Sequence, residues 1–519
     1  LAEPVVPICG LEFEALEKAT IVASELSMKV FLTGATGFIG RALVLALQHR
    51  GHSVVAWVRS PGRAGSQLGE EVQLLPLESE EPALVEALGQ CDAVINLAGE
   101  PLFSRRWTRT RRKALVDSRV SLTARLVAAM KQAETPPGVL LSGSAVGYYG
   151  DRGKERLDEE SPPAADFLAR LCRDWESAAM EATSDNTRVV CLRTGIVLGQ
   201  GGGALAKMAP TFRLGIGGPL GKGHQFVPWV HLHDCVEMIL AALDNPRVNG
   251  PLNIVGPKPV TNREMARAFA QILRRPAILP VPRPALRLLL GQAAGALLAS
   301  QRCYPQKADA LGFAFRFQNI EQALGDLLGP GNLKIESIGV ATPQPMEGSS
   351  YLQVRRADTF LVTRTVLDAP LESVFPFFSK PGNLGLLTPP KMGFTIRRAD
   401  RVMASGAAIE YNLRVFGLPI GWRSRIECWE DSKCFVDSQV RGPYRTWWHE
   451  HHFTETGGST VMEDRVYYAL PLGLLGQLVH RLLVARQLRA TFNYRAAAIS
   501  FRFGLPPRGQ PIPDHAKEG

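Results

Sequence analysis

The stretch Met28-Lys-Val-Phe-Leu-Thr33 runs directly into Gly34-Ala-Thr-Gly37-Phe-Ile-Gly40, and a helix-periodic segment continues to Arg50. The apolar run predicts a buried strand, and the glycines permit a tight turn where the helix begins. Such a turn presents the free N–H groups of the helix N-terminus to an anion. A second apolar run, Val54 to Val58, completes a strand–helix–strand unit of a parallel sheet. A phosphate-bearing ligand is therefore predicted at this turn.

The same alternation continues along the first half of the chain. Further apolar runs occupy residues 93–97, 138–141 and 189–192. Each is separated from the next by enough chain for a helix, which predicts an α/β fold with a doubly wound parallel sheet. After about residue 200 a Gly-rich stretch and mixed elements follow, ending near Leu328. We expect these residues, about 200–328, to form a small substrate lobe with a helical C-terminal part.

A different pattern begins at Tyr351 and predicts an α+β domain over residues 351–503. Thr359 to Leu367 is a predicted strand and Leu371 to Phe378 a predicted short helix. Further strands are predicted at 409–416, 422–429, 435–440, 447–453 and 460–468, before a long helix at 472–501. The remaining segments are interpreted as an N-terminal extension (1–27), a linker (329–350) and a disordered tail (504–519).

Composition limits the classes of protein that need to be considered. The chain has 519 residues, which predicts two or three domains, and a net charge of +10, which favours anionic ligands. Basic residues lie among aromatic ones in the second half, but no nucleic-acid-binding signature accompanies them. The eight cysteines form no C-x-x-C pair, and no secretion signal is recognised, so a reduced, cytoplasmic location is expected. The longest apolar stretches contain charged residues, so no integral membrane segment is predicted.

The residue that follows the second strand indicates which dinucleotide is bound. In proteins with this unit, an acidic residue at that point bonds the ribose 2′-hydroxyl of NAD. Here the position holds Arg59. A guanidinium suits a 2′-phosphate, so the predicted cofactor is NADP(H).

Several further motifs occur in a fixed order. They are Asn96–Gly99, Arg106-Trp107 with Ser118-Arg119, Ser142–Gly150, Arg193–Gly199, Gly217–Gln225 and Trp229–Asp234. Together with the glycine turn they resemble the extended short-chain dehydrogenase/reductases, and more closely the nucleoside-diphosphate-sugar epimerase-like subgroup, also described as SulA-like cell-division inhibitors. The resemblance covers residues 28–328. It implies a Rossmann domain whose cofactor contacts are Gly34, Thr36, Gly37, Phe38, Ile39, Arg59, Leu97, Ala98, Gly99, Arg119 and Val197.

The catalytic residues of that family are only partly present. Ser144 stands where the family has its catalytic serine, but the segment 166–172 lacks the Tyr-x-x-x-Lys pair that exchanges the proton. Tyr148 is a candidate acid in its place, and so is its neighbour Tyr149, which could instead bind substrate. His224 and Gln225, in the Gly-rich loop, are further candidates for substrate binding.

A metal site in the first domain is not predicted. His231, His233 and Asp234 include suitable ligand types, but Asp234 precedes an apolar helix and is better interpreted as its N-cap.

The second domain resembles the START-like, polyketide cyclase/dehydrase-like helix-grip superfamily, which implies an apolar ligand between sheet and long helix. Pro381–Leu384 and Trp447–Phe453 carry the resemblance, together with the order of elements. His449 and His451 fall on one face of a strand by period two and could ligate a metal or line the cavity. No carboxylate stands at a matching linear spacing, so a packed polar strand is the preferred interpretation and no metal is predicted.

Two functions of different classes are compatible with these patterns. The first is an NADP(H)-dependent epimerase or oxidoreductase-like enzyme, acting on a small or lipophilic substrate, with a fused hydrophobic-ligand-binding domain. The second is a catalytically inactive NADP(H)-binding sensor or regulatory protein, related to cell division if the subgroup's description applies. Retention of Ser144 favours the enzyme, whereas loss of the Tyr-x-x-x-Lys pair favours the sensor.

Overall fold

The first half of the chain is organised around seven parallel strands. The computed structural model describes residues 27–329, 331–338 and 351–506, so all but the last residue of the predicted extension, most of the predicted linker and most of the tail lie outside it. The strands are β1 (Lys29–Thr33), β2 (Ser53–Val58), β3 (Gln73–Pro76), β4 (Ala93–Asn96), β5 (Val139–Ala145), β6 (Arg188–Thr194) and β7 (Gly250–Ile254). Their order in the sheet is β7-β6-β5-β4-β1-β2-β3.

The strand order creates a crevice between β1 and β4, where the direction of sheet growth reverses. Phe31 of β1 pairs with Val55 on one side and with Val94 on the other. The central strands are apolar on both faces because helices cover each face, as expected for a parallel sheet. The predicted doubly wound α/β sheet is confirmed.

Thirteen labelled helices accompany this sheet and the lobe. They are α1 (Phe38–His49), α2 (Pro61–Leu68), α3 (Glu81–Gly89), α4 (Arg109–Val116), α5 (Leu122–Gln132), α6 (Phe167–Met180), α7 (Leu205–Arg213), α8 (Leu232–Asp244), α9 (Asn262–Leu273), α10 (Arg283–Leu290), α11 (Ala293–Leu298), α12 (Gln306–Ala310) and α13 (Ile320–Leu328). Helices α7, α9 and α13 share one core in the lobe, where Phe212 stacks on Phe269 at 4.5 Å. Helix α9 begins with a complete capping box formed by Thr261 and Glu264.

Three short strand pairs connect the lobe to the sheet. Ile196–Leu198 pairs in parallel with Trp229–His231. The other two pairs are Phe226–Val227 with Val260–Thr261 and Arg156–Leu157 with Arg302–Cys303.

The second half of the chain forms an eight-stranded antiparallel sheet. Its strands are β8 (Lys334–Ser337), β9 (Thr359–Leu367), β10 (Thr395–Ala399), β11 (Ala408–Val415), β12 (Leu418–Glu430), β13 (Cys434–Arg441), β14 (Thr446–Thr456) and β15 (Ser459–Ala469), in the order β8-β9-β15-β14-β13-β12-β11-β10. Strand β8 belongs to the segment interpreted as a linker, and β10 was not predicted. Both are short edge strands with mostly exposed residues, so neither carries a clear apolar period.

Within the described residues, five α-helices accompany the second sheet: α14 (Tyr351–Val354), α15 (Leu371–Phe378), α16 (Leu384–Leu387), α17 (Gly473–Val479) and α18 (Ala485–Phe503). A π-helical turn at His480–Val484 joins α17 to α18. The predicted long helix is therefore present with one irregular turn. Phe492 of α18 lies 5.6 Å from the ring of His449, so the helix packs across the sheet.

Helix α18 also packs against the first sheet's helix α1. Eight consecutive residues of α1, Gly40–Leu47, are buried, because the sheet covers one side of α1 and α18 another. Tyr494 of α18 contacts Arg41 and Gly201, and Phe501 stacks near His233. One hydrophobic core thus runs from the first sheet into the second domain.

Among the described residues, no helix is both long and apolar enough to cross a membrane.

Candidate cofactor and active site

The turn after β1 has the geometry of an anion-binding loop. Gly34 adopts φ +72°, and the N–H of Gly37 donates to the Gly34 carbonyl at 2.8 Å. A Cβ at Gly40 would overlap that same carbonyl and approach Ala35 Cα at 2.9 Å, so only glycine allows this turn. Helix α1 begins without a side-chain cap and without an acidic residue in its first turn. Its N-terminal N–H groups are therefore available to a phosphate.

Two other segments surround this turn. A Cβ at Gly34 would meet the backbone of Leu97 at 2.7 Å, so the loops after β1 and β4 are in direct contact. The N–H of Ala98 donates to Thr33 Oγ1 at 3.0 Å and holds the second loop in place. On the other side, Phe38 packs against Gly199, Gly202 and Gly203, at each of which a Cβ would lie 3.0 Å or less from the ring. Val197 is buried on the short strand just before these glycines.

Arg59 lies at the end of β2, as predicted, with a side chain that is 80% exposed. It bonds Glu100 Oε1 at 3.2 Å, and Arg111 bonds the other oxygen of that carboxylate at 2.9 Å. The hydrogen bond from Arg111, opposed by partial burial, lowers the pKa of Glu100. Because Arg111 already neutralises Glu100, Arg59 can turn toward an incoming phosphate.

Arg119 lies behind the loop after β4. Its guanidinium is buried, donates to the Glu100 carbonyl at 3.0 Å and packs on the Trp175 ring at 5.3 Å. A Cβ at Gly99 would approach this guanidinium at 3.0 Å. Burial lowers the pKa of Arg119. The predicted cofactor residues of β1, β2 and β4 therefore converge on one crevice.

Ser144 stands at the end of β5 and is part of a charged cluster. Its hydroxyl donates to Glu176 Oε1 at 2.6 Å. Arg193 donates to both oxygens of Glu176, from Nε and Nη2 at 2.9 Å each. Burial lowers the pKa of Arg193, but the hydrogen bonds to Glu176 raise it by more, so the net effect is a raised pKa. The carboxylate is therefore held in position from two sides.

The two neighbouring tyrosines, Tyr148 and Tyr149, differ in burial and in their contacts. Tyr149 has no exposed surface; its hydroxyl donates to Asn253 Oδ1 at 2.7 Å and accepts from Arg193 at 3.1 Å. Burial raises the pKa of Tyr149, and as a core residue it presents no surface to a ligand, so its substrate contact stays a prediction that this structure does not support. Tyr148 is partly exposed, and its ring lies 3.6 Å from the guanidinium carbon of Arg193.

Helix α6 occupies the place of the family's Tyr-x-x-x-Lys segment. Cys172, on this helix, is buried, and burial raises the pKa of its thiol to about 12. The thiol is protonated at neutral pH and supplies neither a charge nor a proton acceptor. Cys172 is therefore not an acid–base group of this site.

The two candidate substrate-binding residues of the Gly-rich loop differ in exposure. His224 is exposed, whereas Gln225 is buried and donates its amide to the Leu220 carbonyl at 3.1 Å. Gln225 therefore stabilises the loop, and its contact with a substrate stays a prediction.

The predicted N-cap of α8 is also wrong. His231 is the N-cap, and its Nδ1 accepts from the N–H of His233 at 3.1 Å. Asp234 instead accepts two backbone N–H groups from the chain before α13, at 2.9 and 3.0 Å.

Sequence reasoning missed Glu176 and the role of Arg193. Glu176 lies 32 residues after Ser144, and no short motif joins the two. The helical periodicity of α6 was the signal that could have found Glu176. It places this carboxylate on the side of the helix that packs on β5, where a buried carboxylate needs a hydrogen-bond partner.

A seven-stranded parallel sheet with a glycine turn at its switch point defines a Rossmann-like α/β domain. Comparison with known proteins agrees: the profile of the NAD dependent epimerase/dehydratase family matches residues 30–255, and a domain of unknown function, DUF1731, matches residues 281–327. The chain belongs to this epimerase family. The resemblance to extended short-chain dehydrogenases over the first domain is thereby confirmed.

Curated relatives match the same part of the chain. "Epimerase family protein SDR39U1 homolog, chloroplastic" of Arabidopsis thaliana is 40% identical over 309 residues, which are 58% of this chain and 86% of the relative. The human "Epimerase family protein SDR39U1" is 38% identical over 305 residues, or 58% of this chain and all of the human protein.

A solved structure matches the same part of the chain. The crystal structure of human SDR39U1, isoform 2, with NADPH has 37% sequence identity and a TM-score of 0.53, and the match covers 58% of this chain and 99% of that one.

Proposed function

We propose that the protein is an NADP(H)-dependent epimerase or oxidoreductase-like enzyme that acts on a small or lipophilic substrate. The observation that carries this proposal is the uncapped glycine turn at the start of α1, with Arg59 at the end of β2 on the same crevice. The turn provides backbone donors for a pyrophosphate, and Arg59 provides a cation for a 2′-phosphate. The human relative solved with NADPH supports the same cofactor.

The cofactor residues have distinct roles in this proposal. Gly34, Thr36, Gly37, Phe38 and Ile39 form the phosphate turn and its aromatic wall. Leu97, Ala98, Gly99, Arg119 and Val197 line the crevice around it. When bound, NADP(H) would supply hydride chemistry at the carboxyl ends of the strands.

The first test of the proposal concerns Arg59. Arg59→Asp should weaken NADPH binding by roughly 10–100-fold, because a charge-assisted phosphate contact is lost and a carboxylate repels the phosphate. NADH, which has no 2′-phosphate, should lose far less. Both affinities can be measured by calorimetry. Arg247→Asp, the same charge change at an exposed arginine, should leave both affinities unchanged; an equal loss of NADPH and NADH in the Arg59 variant would count against this role.

The residues around Ser144 suggest how a proton could move without the usual tyrosine. The hydroxyl of Ser144 donates to Glu176, which leaves its lone pairs to accept a proton from a substrate hydroxyl. Glu176 would then receive the serine proton, and the two hydrogen bonds from Arg193 hold this carboxylate in position. Tyr148 stands beside this cluster as a second candidate acid.

The second test concerns the Ser144 hydroxyl. Ser144→Ala should slow single-turnover NADPH oxidation by about tenfold or more, since one hydrogen bond to a charged group in the transition state is lost. The substrate for this assay is the small molecule released from protein purified from its own host. Ser373→Ala removes a surface hydroxyl that donates to Pro370 and should have no effect. Unchanged oxidation in the Ser144 variant would remove this hydroxyl from the mechanism.

A sensor function remains the second candidate, favoured by one observation. Tyr494 of α18 contacts Arg41, which follows the glycine turn, and Gly201, whose neighbour Gly202 packs on Phe38. A ligand in the second domain could therefore alter cofactor binding without any hydride transfer. Single-turnover NADPH oxidation by the wild-type protein distinguishes the two functions, because an enzyme oxidises NADPH in this assay and a sensor does not.

For the second domain we propose a START-like helix-grip fold over residues 351–503, extended at one edge by β8. The antiparallel sheet with a long helix packed across it supports this assignment. The ligand would be apolar, held between the sheet and α18, among aromatic side chains such as Tyr411, Trp422 and Trp447. The first domain would then span residues 28–328.

A further inference from the structure

Strand β14 places two imidazoles under α18, opposite two carboxylates. His449 and His451 point to the same face, while Trp448 and Glu450 between them point to the other and bond each other. In the sheet register, His449 is paired with Asp437 of β13, and His451 is paired with Asp464 of β15. The register therefore supplies the carboxylates that linear spacing did not show.

The four side chains form a tight cluster in which Asp437 is partly exposed and the other three are buried. Asp437 Oδ2 lies 3.4 Å from His449 Nδ1 and 3.1 Å from His451 Nε2. Asp464 Oδ1 lies 2.9 Å from His449 Nε2 and 2.8 Å from His451 Nδ1. Both histidines and Asp464 are at most 5% exposed. All four ring nitrogens thus face a carboxylate oxygen.

The hydrogen bonds of this cluster leave one ring nitrogen weakly bonded. His451 bonds Asp437 Oδ2 through Nε2, and its Nδ1 also faces Arg495 Nη2 at 3.2 Å. His449 bonds Asp464 through Nε2, whereas its Nδ1 makes the longer contact of 3.4 Å to Asp437. Arg495 also lies 3.4 Å from Asp464, but among the residues of this cluster two carboxylates face this one guanidinium. A cation between Asp437 and the two rings would balance the second carboxylate.

We propose that Asp437, His449 and His451 bind one divalent transition-metal ion of the Zn²⁺ type. With metal–ligand bonds of about 2.1 Å, neighbouring ligands of a tetrahedral site lie about 3.4 Å apart. The contacts from Asp437 to the two rings have this length, and the three ligand atoms lie within 4.8 Å of one another. Imidazole with carboxylate is a ligand set suited to Zn²⁺ and related ions and unsuited to Mg²⁺.

Asp464 would be the positioning residue of this site. Asp464 Oδ1 bonds His449 Nε2 at 2.9 Å and so directs Nδ1 of that ring toward the metal, as second carboxylates do in zinc proteins; it also lies 2.8 Å from His451 Nδ1. Arg495 donates toward Asp464 and keeps it ionised. Phe435 stacks on His451 at 4.0 Å, and Phe492 lies beside His449, so apolar rings flank the ligands. Three protein ligands leave one coordination position for water or for a ligand of the domain.

Metal titration of the full-length chain tests this site. Protein without a polyhistidine tag, stripped with a chelator, is titrated with Zn²⁺ by calorimetry and with Co²⁺ by visible absorption. We expect one equivalent per chain, a tetrahedral Co²⁺ spectrum and no response to Mg²⁺. His451→Ala and Asp437→Asn should weaken Zn²⁺ binding by at least about 100-fold, and Asp464→Asn by roughly 10–100-fold.

The matched control is His452→Ala, which removes an imidazole from the opposite face of the same strand. It should retain the full equivalent and the Co²⁺ spectrum. Circular dichroism and thermal melting show whether each variant is folded, and Asp437→Asn keeps the side-chain shape if His451→Ala does not fold. The proposal is overturned if folded wild-type protein takes up no stoichiometric Zn²⁺, or if folded Asp437→Asn binds it as tightly as the wild type.

Discussion

Gly40→Ala is expected to weaken NADPH binding by at least about 100-fold, which corresponds to about 2.8 kcal/mol. The added Cβ would overlap the Gly34 carbonyl and lie 2.9 Å from Ala35 Cα. Both neighbours are backbone atoms of the phosphate turn, so the turn has to move rather than a side chain. Calorimetric titration with NADPH measures the loss.

The control for this variant is Gly295→Ala on α11, where a Cβ meets nothing within 4 Å. It should leave the affinity and the melting temperature nearly unchanged, because alanine favours a helix over glycine. Normal NADPH affinity in a folded Gly40→Ala protein would contradict the turn's role in binding the phosphates.

Glu176→Leu is expected to lower the free energy of unfolding by about 3–5 kcal/mol. The side chain of Arg193 is 4% exposed, and its Nε and Nη2 both donate hydrogen bonds to the carboxylate of Glu176. Without the carboxylate a guanidinium is left buried with no countercharge, and Ser144 loses its acceptor. Urea denaturation followed by circular dichroism measures the change.

Glu181→Leu, at the end of the same helix, provides the comparison. Its side chain is 70% exposed and its ion pair with Lys131 is 3.9 Å long, so the expected loss is below about 1 kcal/mol. If Glu176→Leu costs no more than this control, the cluster around Arg193 does not stabilise the fold and the proposed relay loses its support.

Local sequence patterns were sufficient to predict the first sheet. The strand, glycine turn and helix at residues 28–50 are consecutive in the chain, so their hydrophobic period and glycine spacing can be seen directly. The position of Arg59 follows from the same unit, because a residue after β2 must lie at the carboxyl edge beside β1. Most strands of the second sheet were predicted for a similar reason.

Contacts between distant segments could not be predicted. Tyr149 was a candidate for substrate binding because it neighbours Ser144, but β7 supplies Asn253 as its buried partner. The His449 and His451 pair lacked a carboxylate nearby in sequence, whereas the antiparallel register brings Asp437 and Asp464 beside it. Register depends on the whole sheet, and no local spacing encodes it.

Helix α18 connects the two proposed sites through adjacent residues. Tyr494 contacts the first domain beside the glycine turn, and Arg495 contacts Asp464 on the other side of the helix. A change in the position of α18 would therefore alter contacts at both sites. One helix thus contacts both proposed sites through two consecutive residues.

Binding of NADPH is the claim on which the account depends most. Native mass spectrometry of the full-length chain, mixed with equimolar NADPH and NADH, tests it in one measurement. The account predicts one bound dinucleotide per chain, predominantly NADPH, and reversal of this preference in Arg59→Asp. A folded chain that binds neither dinucleotide, or prefers NADH, would contradict it.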